Sequence, residues 1–328
     1  MTGGSGAVCT LTGEEIMEII RELVRSSEPT ATALGYFDGV HRGHRAVIAE
    51  SVAYAREHGL VSAVFTLQQS PRTVLFGEEP KGIITLEEKL QQLAQLGVER
   101  VYLIDFRTIR HITAEDFVRD ILLGCFHAKH TGCGFNYHFG SGAKGDGNTL
   151  SHLAQAYGIT ETTQPQLCYG GLPISSTRIR QCIAQGDIPS ANAMLGRAYG
   201  FCLPIIHGQQ LGRQLGFPTL NQSMPDGLIK PLFGVYASVV TVNGVSYRGV
   251  TNIGRKPTVG ADSVTIETWM PDYHGGELYD EVLDVRLYGF VRPEQRFDSL
   301  DALRRAVEQD AAAVMAHTID TKECEGAW

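Results

Sequence analysis

Long apolar runs, targeting segments and repeats are all missing from this sequence. No window approaches the ~18 consecutive apolar residues that a membrane-spanning helix needs, and Met1–Leu11 has neither the basic start nor the apolar centre of a secretory signal. Internal repeats and low-complexity segments are also absent, while 43% of the residues are hydrophobic and 20% are charged. This balance excludes disordered, collagen-like and coiled-coil chains. We therefore expect a globular, cytoplasmic protein without a membrane partner.

An excess of basic charge and paired cysteines are missing as well. The net charge is −8, and acidic residues outnumber basic ones in each half of the chain, which excludes a basic nucleic-acid-binding module. The seven cysteines are an odd number, lie far apart and form no Cys-x-x-Cys pair. This pattern predicts reduced thiols and no zinc site. Nucleic acids are not expected among the partners.

The length of 328 residues favours two domains, and the first, residues 1–186, alternates helix-like with strand-like segments. Such alternation predicts a parallel sheet with crossover helices. Capping boxes mark two helix starts, at Thr12 and at Thr85. The predicted helices are 14–25, 44–58, 85–96, 113–123, 150–157 and one that begins near Ser176, and the predicted strands are 33–37, 61–66, 98–106, 128–133 and 159–168.

The second domain, residues 187–328, follows a predicted linker at 185–197 and has a different pattern. It is rich in glycine and β-branched residues, and Asn243–Gly244 predicts a hairpin between two strands, 235–242 and 245–250. Two more strands are predicted at 264–269 and 282–288, and one long helix follows at 299–316. We expect a small antiparallel barrel closed by this C-terminal helix.

The strongest local motif is the run Phe37-Asp38-Gly39-Val40-His41-Arg42-Gly43-His44, which lies between a predicted strand and a predicted helix. Open α/β sheets bind ligands at the carboxyl ends of their strands, and a helix start offers N–H groups to phosphate. Gly43 would let a phosphate chain approach the backbone, and the two imidazoles could donate hydrogen bonds to developing charge. The alternative is a pair of surface histidines around a tight turn.

Two further signals lie later in the first half. The run Ile174-Ser175-Ser176-Thr177-Arg178-Ile179-Arg180 places hydroxyls at a helix start with an arginine one turn in, which suits phosphate oxygens. An ordinary helix cap with solvated arginines would look the same. Between the motifs, the glycine-bracketed loop Gly134–Gly140, followed by Gly145–Asp146, could hold a base or a ribose.

The second half carries residues suited to phosphoryl transfer. Gly208, Gly212 and Gly216 allow a tight loop over phosphates, although a barrel corner uses glycine in the same way. Thr219 and Asn221 are oxygen donors of the kind that Mg²⁺ accepts, or else they form a turn after Pro218. Glu267 lies in an apolar β-run, where it is either a strand residue facing outward or a partly desolvated general base.

In this order the motifs resemble the prokaryotic bifunctional riboflavin kinase/FMN adenylyltransferases, the FAD synthetase family, over roughly residues 30–315. The family's H-x-G-H, (D/N)-x-x-F-G and S-S-T-R-I-R elements match His41–His44, Asn136–Gly140 and Ser175–Arg180. The kinase matches are the runs Gly212–Asn221, Gly234–Tyr236, Asn252–Thr258 and Ile266–Thr268. The resemblance implies a nucleotidyltransferase-type parallel-sheet domain, then a small antiparallel β-barrel riboflavin kinase domain with a C-terminal helix.

The resemblance also implies an activity and the residues that carry it. Riboflavin and ATP give FMN in the second domain, and FMN and ATP give FAD and pyrophosphate in the first, with Mg²⁺ as cofactor. The partners expected are these small molecules, and the chain is expected to be a monomer or a weak homo-oligomer. The implied catalytic residues are His41, His44, Arg178 and Glu267, the implied metal ligands are Thr219 and Asn221, and the implied nucleotide- and flavin-binding residues are Gly35, Phe37, Asp38, Gly43, Asn136, Ser175, Ser176, Thr177, Gly212, Arg213, Gly216, Pro218 and Arg292.

The sequence departs from the family at three places. The family's F-(D/E)-P-H-P run, whose histidine lies near the nucleotide, is replaced by Leu67-Gln68-Gln69-Ser70-Pro71. Tyr36 replaces an asparagine, and Trp269-Met270-Pro271 replaces the usual run after the kinase glutamate. Three hypotheses therefore stand: a two-step enzyme, which we favour, a riboflavin kinase with a weak or inactive first domain, and a flavin-binding regulatory module.

Overall fold

The computed structural model describes residues 17–78, 80–207, 216–258 and 261–317. The described residues form two compact units, a first unit of those between 17 and 80 and of 85–174, and a second unit of 81–84 and of those between 175 and 317. The helix that begins at Ser176 thus packs with the second unit, although the predicted domain boundary lies after residue 186. As a division of function, that boundary stays a prediction.

The first unit is built on a six-stranded parallel sheet in the order β1-β4-β3-β2-β5-β6. Its strands are β1 (Glu18–Ile20), β2 (Thr30–Leu34), β3 (Val61–Leu67), β4 (Arg100–Ile104), β5 (Ala128–Gly134) and β6 (Thr160–Gln164), with the small hairpin β7 (Cys168–Tyr169) and β8 (Leu172–Pro173). Its helices are α1 (Arg42–His58), α2 (Pro71–Phe76), α3 (Leu86–Gln95), α4 (Phe106–Ile109), α5 (Ala114–Asp116), a π-helix (Phe117–Cys125), a 3₁₀ turn (Ser141–Ala143) and α6 (Gly147–Ala156). The predicted α/β class is confirmed.

One predicted helix of the first unit, 14–25, is wrong. Residues 18–20 form β1, which pairs in parallel with β4 so that Glu18 stands opposite Arg100. The Arg100 guanidinium also contacts the Glu18 carboxylate at 2.6 Å. The β-branched Ile19 and Ile20 suit this edge strand, and tertiary pairing outweighs the helical spacing of the apolar residues. The predicted capping residues Thr12 and Glu15 lie outside the described residues.

The predicted strand 33–37 begins earlier, at Thr30. All five residues of β2 are buried, and its two threonines are polar residues that obscure an apolar run. Both hydroxyls are satisfied inside the sheet, because Thr30 Oγ1 donates to the Phe126 carbonyl and the Thr32 hydroxyl is hydrogen-bonded to Thr30 Oγ1 at 2.9 Å. The strand ends at Leu34, which leaves residues 35–41 as the connection to α1.

The second unit is a curled six-stranded antiparallel sheet in the order β10-β13-β12-β11-β14-β9. Its strands are β9 (Tyr199–Pro204), β10 (Thr219–Ser223), β11 (Gly234–Val242), β12 (Val245–Thr258), β13 (Ala261–Trp269) and β14 (Val282–Pro293), and its helices are α7 (Ser176–Gln185), α8 (Ile188–Leu195) and α9 (Leu300–Ala316). A bridge between Ile206 and Asn221 joins the two ends of the sheet. The predicted barrel with a C-terminal helix is confirmed.

Two connections of the second unit test the sequence patterns. The hairpin at Asn243–Gly244 is confirmed, and both residues take the positive φ values, 49° and 78°, that such a turn requires. The predicted linker at 185–197 is wrong, because most of it is α8. Asn192 ties this helix to the barrel, since its Nδ2 donates to the Leu287 carbonyl and its Oδ1 accepts from the Tyr199 N–H.

Candidate active site

The first candidate site lies at the topological switch point of the parallel sheet, where strands that follow in the chain are added on the opposite side of β2. From β2 the chain proceeds to β3 and β4 on one side, and β5 and β6 lie on the other. Loops that leave the carboxyl ends of β2 and β5 therefore flank a crevice, which is where open α/β sheets bind ligands. The connection 35–41 follows β2, and the loop with Asn136 follows β5. The sheet thus brings these two predicted motifs to one edge.

The two histidines of the motif form one unit at the start of α1. His41 is the N-cap of the helix, and its Nδ1 accepts a hydrogen bond from the His44 N–H at 3.3 Å. The two rings stack with centroids 3.5 Å apart, and the Phe37 ring meets His44 edge-on at 5.3 Å. Because Nδ1 of His41 is an acceptor, its proton is on Nε2 in the neutral ring. In that ring Nε2 is therefore a hydrogen-bond donor.

Gly35, two residues before the motif, and Gly43 within it make room for the rings of the motif. A Cβ on Gly35 would lie 2.7 Å from the Phe37 ring, and a Cβ on Gly43 would lie 3.2 Å from Cε1 of His41. Gly43 therefore accommodates the stacked imidazoles, a role that the sequence pattern did not indicate. Asp38 is buried within the same loop, at 7% exposure.

The loop after β5 folds back on itself. Phe139 and Gly145 exchange backbone hydrogen bonds of 3.0 Å, and a Cβ on Gly145 would clash with the Phe139 ring at 2.7 Å. Asp146 then caps α6 by accepting from the Thr149 N–H. Asn136 is exposed on this loop, and its assignment to the nucleotide stays a prediction.

The run that departs from the family, Gln68–Ser70, has structural contacts of its own. Gln68 Nε2 donates to the Leu103 carbonyl at 3.2 Å. Ser70 is buried and caps α2, because its Oγ accepts from the Arg72 N–H at 3.3 Å. The position that carries a histidine in the family therefore serves here as a helix cap.

The serine-rich motif begins α7, which belongs to the second unit. Ser175 is the N-cap, and its Oγ accepts from the Arg178 N–H at 3.3 Å. Ser176 and Arg178 are half-buried, while Thr177 is exposed. The predicted helix start is confirmed. The assignment of Ser175, Ser176, Thr177 and Arg178 to the nucleotide stays a prediction.

The second candidate site is a row of polar residues across the barrel. In the strand register Asn221 stands opposite Glu267, and Glu267 stands opposite Asn252. Directly paired residues of antiparallel strands project their side chains from the same face, so these three side chains share one side of the sheet. Glu267 is half-buried. The register therefore brings Glu267 beside the predicted metal ligand Asn221.

The predicted metal ligands occupy the edge of this row. Thr219 lies two residues before Asn221 on β10, and its partner in the register is Trp269. Asn221 Nδ2 donates to the Thr219 carbonyl at 3.2 Å, so Oδ1 is the atom of this amide that could bind a cation. A hydroxyl and an amide oxygen on one face fit a hard cation that keeps further ligands from phosphate and water. The residues are therefore compatible with Mg²⁺.

A pocket with a volume of about 470 Å³ adjoins these ligands. This size falls within the usual range for small-molecule sites. Thr219 and Asn221 line it together with Tyr273, Tyr279 and Glu277. Pro218 belongs to its wall, and Phe217 packs edge-on against Trp269 at 4.7 Å. Gly216 takes a φ of +90° just before this segment. Gly208, Gly212 and Arg213 lie outside the described residues.

Arg292, a predicted binding residue, continues the row and pairs with the C-terminal helix. It stands opposite Val235 in the register, and Val235 stands opposite Asn252. Its Nε and Nη2 bond both carboxylate oxygens of Asp310 on α9 at 2.8 and 2.7 Å. Sequence reasoning missed Asp310. The sequence does contain a signal for it: Asp310 is an acidic residue on the same apolar stripe of the helix as Leu303, Val307 and Val314. A charged residue on such a stripe predicts a buried partner.

Taken together, the two units define a class of protein. The first unit has a parallel α/β sheet with a histidine pair at its switch point, and the second has a barrel in which two oxygen donors line a pocket and a carboxylate stands opposite one of them. These features suit a transferase that uses nucleotides. The FAD synthetase family matches residues 23–178, and the riboflavin kinase family matches residues 195–318.

Relatives agree over most of the chain. The bifunctional riboflavin kinase/FMN adenylyltransferase of Pseudomonas fluorescens is 36% identical over 285 residues, which are 86% of this chain and 91% of the relative. The protein of the same description from Escherichia coli K12 is 34% identical over 303 residues, 90% of this chain and 96% of the relative. The chain belongs to the bifunctional riboflavin kinase/FMN adenylyltransferase family, which confirms the predicted resemblance.

A solved structure supports the fold of the whole chain. A crystal structure described as a macrolide-efflux protein from Streptococcus pneumoniae has a TM-score of 0.83 at 28% identity, covering 92% of this chain and 99% of that one. The similarity extends across both units. In the part of the chain that the structure describes, no helix combines the length and apolarity needed to cross a membrane.

Proposed function

We propose that this chain performs both reactions of its family. The second unit transfers a phosphoryl group from ATP to riboflavin and forms FMN and ADP. The histidine motif of the first unit serves the transfer of AMP from ATP to FMN, which forms FAD and pyrophosphate. The observation that carries the proposal is that both family matches occur in one chain and each includes its own reactive motif. This favours the two-step reading over a kinase alone or a binding module.

In the kinase reaction, Glu267 is the proton acceptor. The riboflavin 5′-hydroxyl is a poor nucleophile, and its oxygen forms the new bond to the γ-phosphorus as the bond to the ADP oxygen breaks. A half-buried carboxylate that shares a face with Asn221 and Asn252 is placed to accept the proton. The adjacent pocket is proposed to take the nucleotide.

Thr219 and Asn221 are the proposed ligands of Mg²⁺. When bound, the ion would offset the negative charge of the ATP phosphates. The protein's own contribution is the rigid position of the two oxygen donors, since both belong to β10, which is paired along its length with β13. Loss of either donor would misplace the phosphates relative to Glu267.

In the adenylyl reaction, a phosphate oxygen of FMN attacks the α-phosphorus of ATP and pyrophosphate leaves. The protein needs only to position the reactants and stabilise charge, so no covalent enzyme intermediate is expected. Nε2 of His41 is a donor, and the first N–H groups of the 17-residue α1 favour an anion at the same place. His41 and His44 are therefore proposed to face the α-phosphate and the leaving pyrophosphate.

The remaining binding residues are assigned by the family motifs. Gly35, Phe37, Asp38, Gly43 and Asn136 belong to the loops at the carboxyl edge of the sheet, which is the proposed nucleotide and flavin face of the first unit. Arg178 is proposed to hold phosphate oxygens and Arg292 to support the flavin side of the kinase. For Ser175, Ser176, Thr177, Gly212 and Arg213 the proposal rests on the motif alone.

Product analysis tests the proposal directly. Purified protein is incubated with riboflavin, ATP and Mg²⁺, and in parallel with FMN, ATP and Mg²⁺, and the flavins are resolved by chromatography. The two-step enzyme forms FMN and FAD in the first mixture and FAD in the second. Formation of FMN without FAD would select the kinase-only hypothesis. If neither product forms, the binding module is the remaining hypothesis. A sample with chelator in place of Mg²⁺ tests the metal requirement.

A further inference from the structure

A lysine outside the family motifs lies under the loop that carries the two histidines. Lys89 belongs to α3 and is only 7% exposed. Its Nζ donates to the Tyr36 carbonyl at 3.2 Å and to Thr66 Oγ1 at 3.3 Å. Thr66 Oγ1 donates to the same carbonyl at 2.9 Å. The three groups form a closed triangle at the start of the loop.

The loop above this triangle has a conformation that needs support. Phe37, Gly39 and Val40 have φ values of +52°, +80° and +41°, a region that bulky and β-branched residues rarely adopt. Such backbone persists only where its surroundings fix it. Tyr36 immediately precedes these residues and His41 immediately follows them. The hold on the Tyr36 carbonyl therefore fixes the beginning of a segment that ends at the proposed catalytic histidine.

The charge of Lys89 is costly for the fold. Burial lowers its pKa to about 8, and the Asp38 carboxylate opposes part of this shift. The Tyr36 ring covers the ammonium, with its centroid 5.0 Å from Nζ, which is a favourable contact for a cation. An apolar residue of similar length would often stabilise such a site at least as well. A buried charge kept beside a reactive motif indicates a functional role.

We propose that Lys89 is a positioning residue for adenylyl transfer. Its ammonium ties the Tyr36 carbonyl to Thr66 and balances the charge of Asp38, and this holds the loop so that His41 and His44 meet the nucleotide phosphates. The inference rests on the proposed function of the histidine motif. It also gives the Tyr36 departure a physical role, because an aromatic ring covers the amine where an asparagine would not.

Three variants test the role. Lys89→Met keeps the length of the side chain but removes the charge and the hydrogen-bond donors. Lys89→Arg keeps the charge and the donors. Lys129→Met removes an exposed lysine of the same unit and is the matched control. We expect Lys89→Met to lower kcat for FAD formation by about 10- to 100-fold, the scale of a misplaced reactive group, with a smaller change in KM. Lys89→Arg restores most of the rate, and Lys129→Met equals the wild type. FMN formation stays unchanged in all three.

The pH profile separates positioning from mere support of the fold. The titratable groups that face the amine are Asp38 and Tyr36 on the loop, while β3 contributes Thr66, which does not titrate. As pH rises through about 8, Lys89 loses its charge, so the wild-type kcat for FAD formation should fall. In Lys89→Arg the charge persists and the fall should be absent.

Several outcomes would overturn the role. If the wild type forms FAD and Lys89→Met forms it at a rate within twofold of the wild-type rate, the positioning role is overturned and the proposed function stays intact. A wild type that forms no FAD overturns both. Should Lys89→Met unfold the first unit, as seen in its thermal transition, the pH profile decides. Identical profiles for the wild type and Lys89→Arg then overturn the proposal.

Discussion

Replacing Glu267 by glutamine is the sharpest test of the kinase site. The substitution keeps the size of the side chain and removes the carboxylate that is proposed to accept the proton. Glu267 pairs in register with Asn221 and Asn252. A glutamine can occupy the same half-buried place, beside the amide side chains of these two residues. The fold of the barrel should therefore survive, and any loss of rate should reflect chemistry.

The size of the effect follows from what the carboxylate does. General base catalysis usually contributes about 10²- to 10⁴-fold, which corresponds to about 2.7–5.5 kcal/mol in the activation barrier. Phosphoryl transfer depends mainly on position and charge, so the loss should lie in this range and below the loss caused by removing the metal ligands. The change should appear in kcat, because the proposed role of Glu267 concerns the hydroxyl that reacts rather than the bulk of the substrate.

The assay follows FMN formed from riboflavin and, separately, FAD formed from supplied FMN. Glu267→Gln should lower the first by the stated factor and leave the second untouched. Glu308→Gln, at an exposed glutamate of α9 paired with Arg304, is the matched control. Near-normal FMN formation by Glu267→Gln would show that this glutamate is a strand residue without a catalytic part, and the base would have to be sought elsewhere.

Four further predictions follow from the contacts described above. His44→Ala should abolish FAD formation while FMN formation continues, and equal loss of both products would indicate misfolding or a shared site. Ser70→His should raise FAD formation at limiting ATP if a histidine is needed at this position. Ser70→Ala, which only removes the cap of α2, should not raise it. No change in the Ser70→His variant would mean that the departure from the family is compensated or irrelevant. Asp310→Asn should lower the free energy of unfolding of the second unit by about 3 kcal/mol, the lower end for a broken buried pair, because Arg292 is 23% exposed; denaturant titration measures it, and a loss below 1 kcal/mol would contradict it. The pKa of Lys89 is about 8 in the folded protein and 10.5 ordinarily, so between these pH values the unfolded chain binds more protons than the folded one. The stability of the first unit should therefore rise with pH across that window. In a thermal-shift series, Lys89→Met should remove this rise.

Sequence patterns predicted the elements whose signals are local. Helix α3 begins after Thr85, whose hydroxyl accepts from the Glu88 N–H, as the capping box indicates. The Asn243–Gly244 turn and the start of α7 at Ser176 follow from single residues in the same way. The motifs around His41 and Glu267 were also found from the sequence, because their residue types are unusual where they stand.

The parts that escaped prediction depend on contacts distant in sequence. Strand β1 exists because β4, some eighty residues later, offers it a parallel edge, and no local period reveals that pairing. Lys89 and Asp310 were missed for the same reason, since the partners of these two buried charges, the Tyr36 carbonyl and Arg292, are not neighbours on the same helix. The register of β10, β13 and β12 is likewise invisible in the sequence, yet it places Asn221, Glu267 and Asn252 in one row. In this chain, local motifs indicate which chemistry is present, and the long-range pairing of strands determines which residues share a face to carry it out.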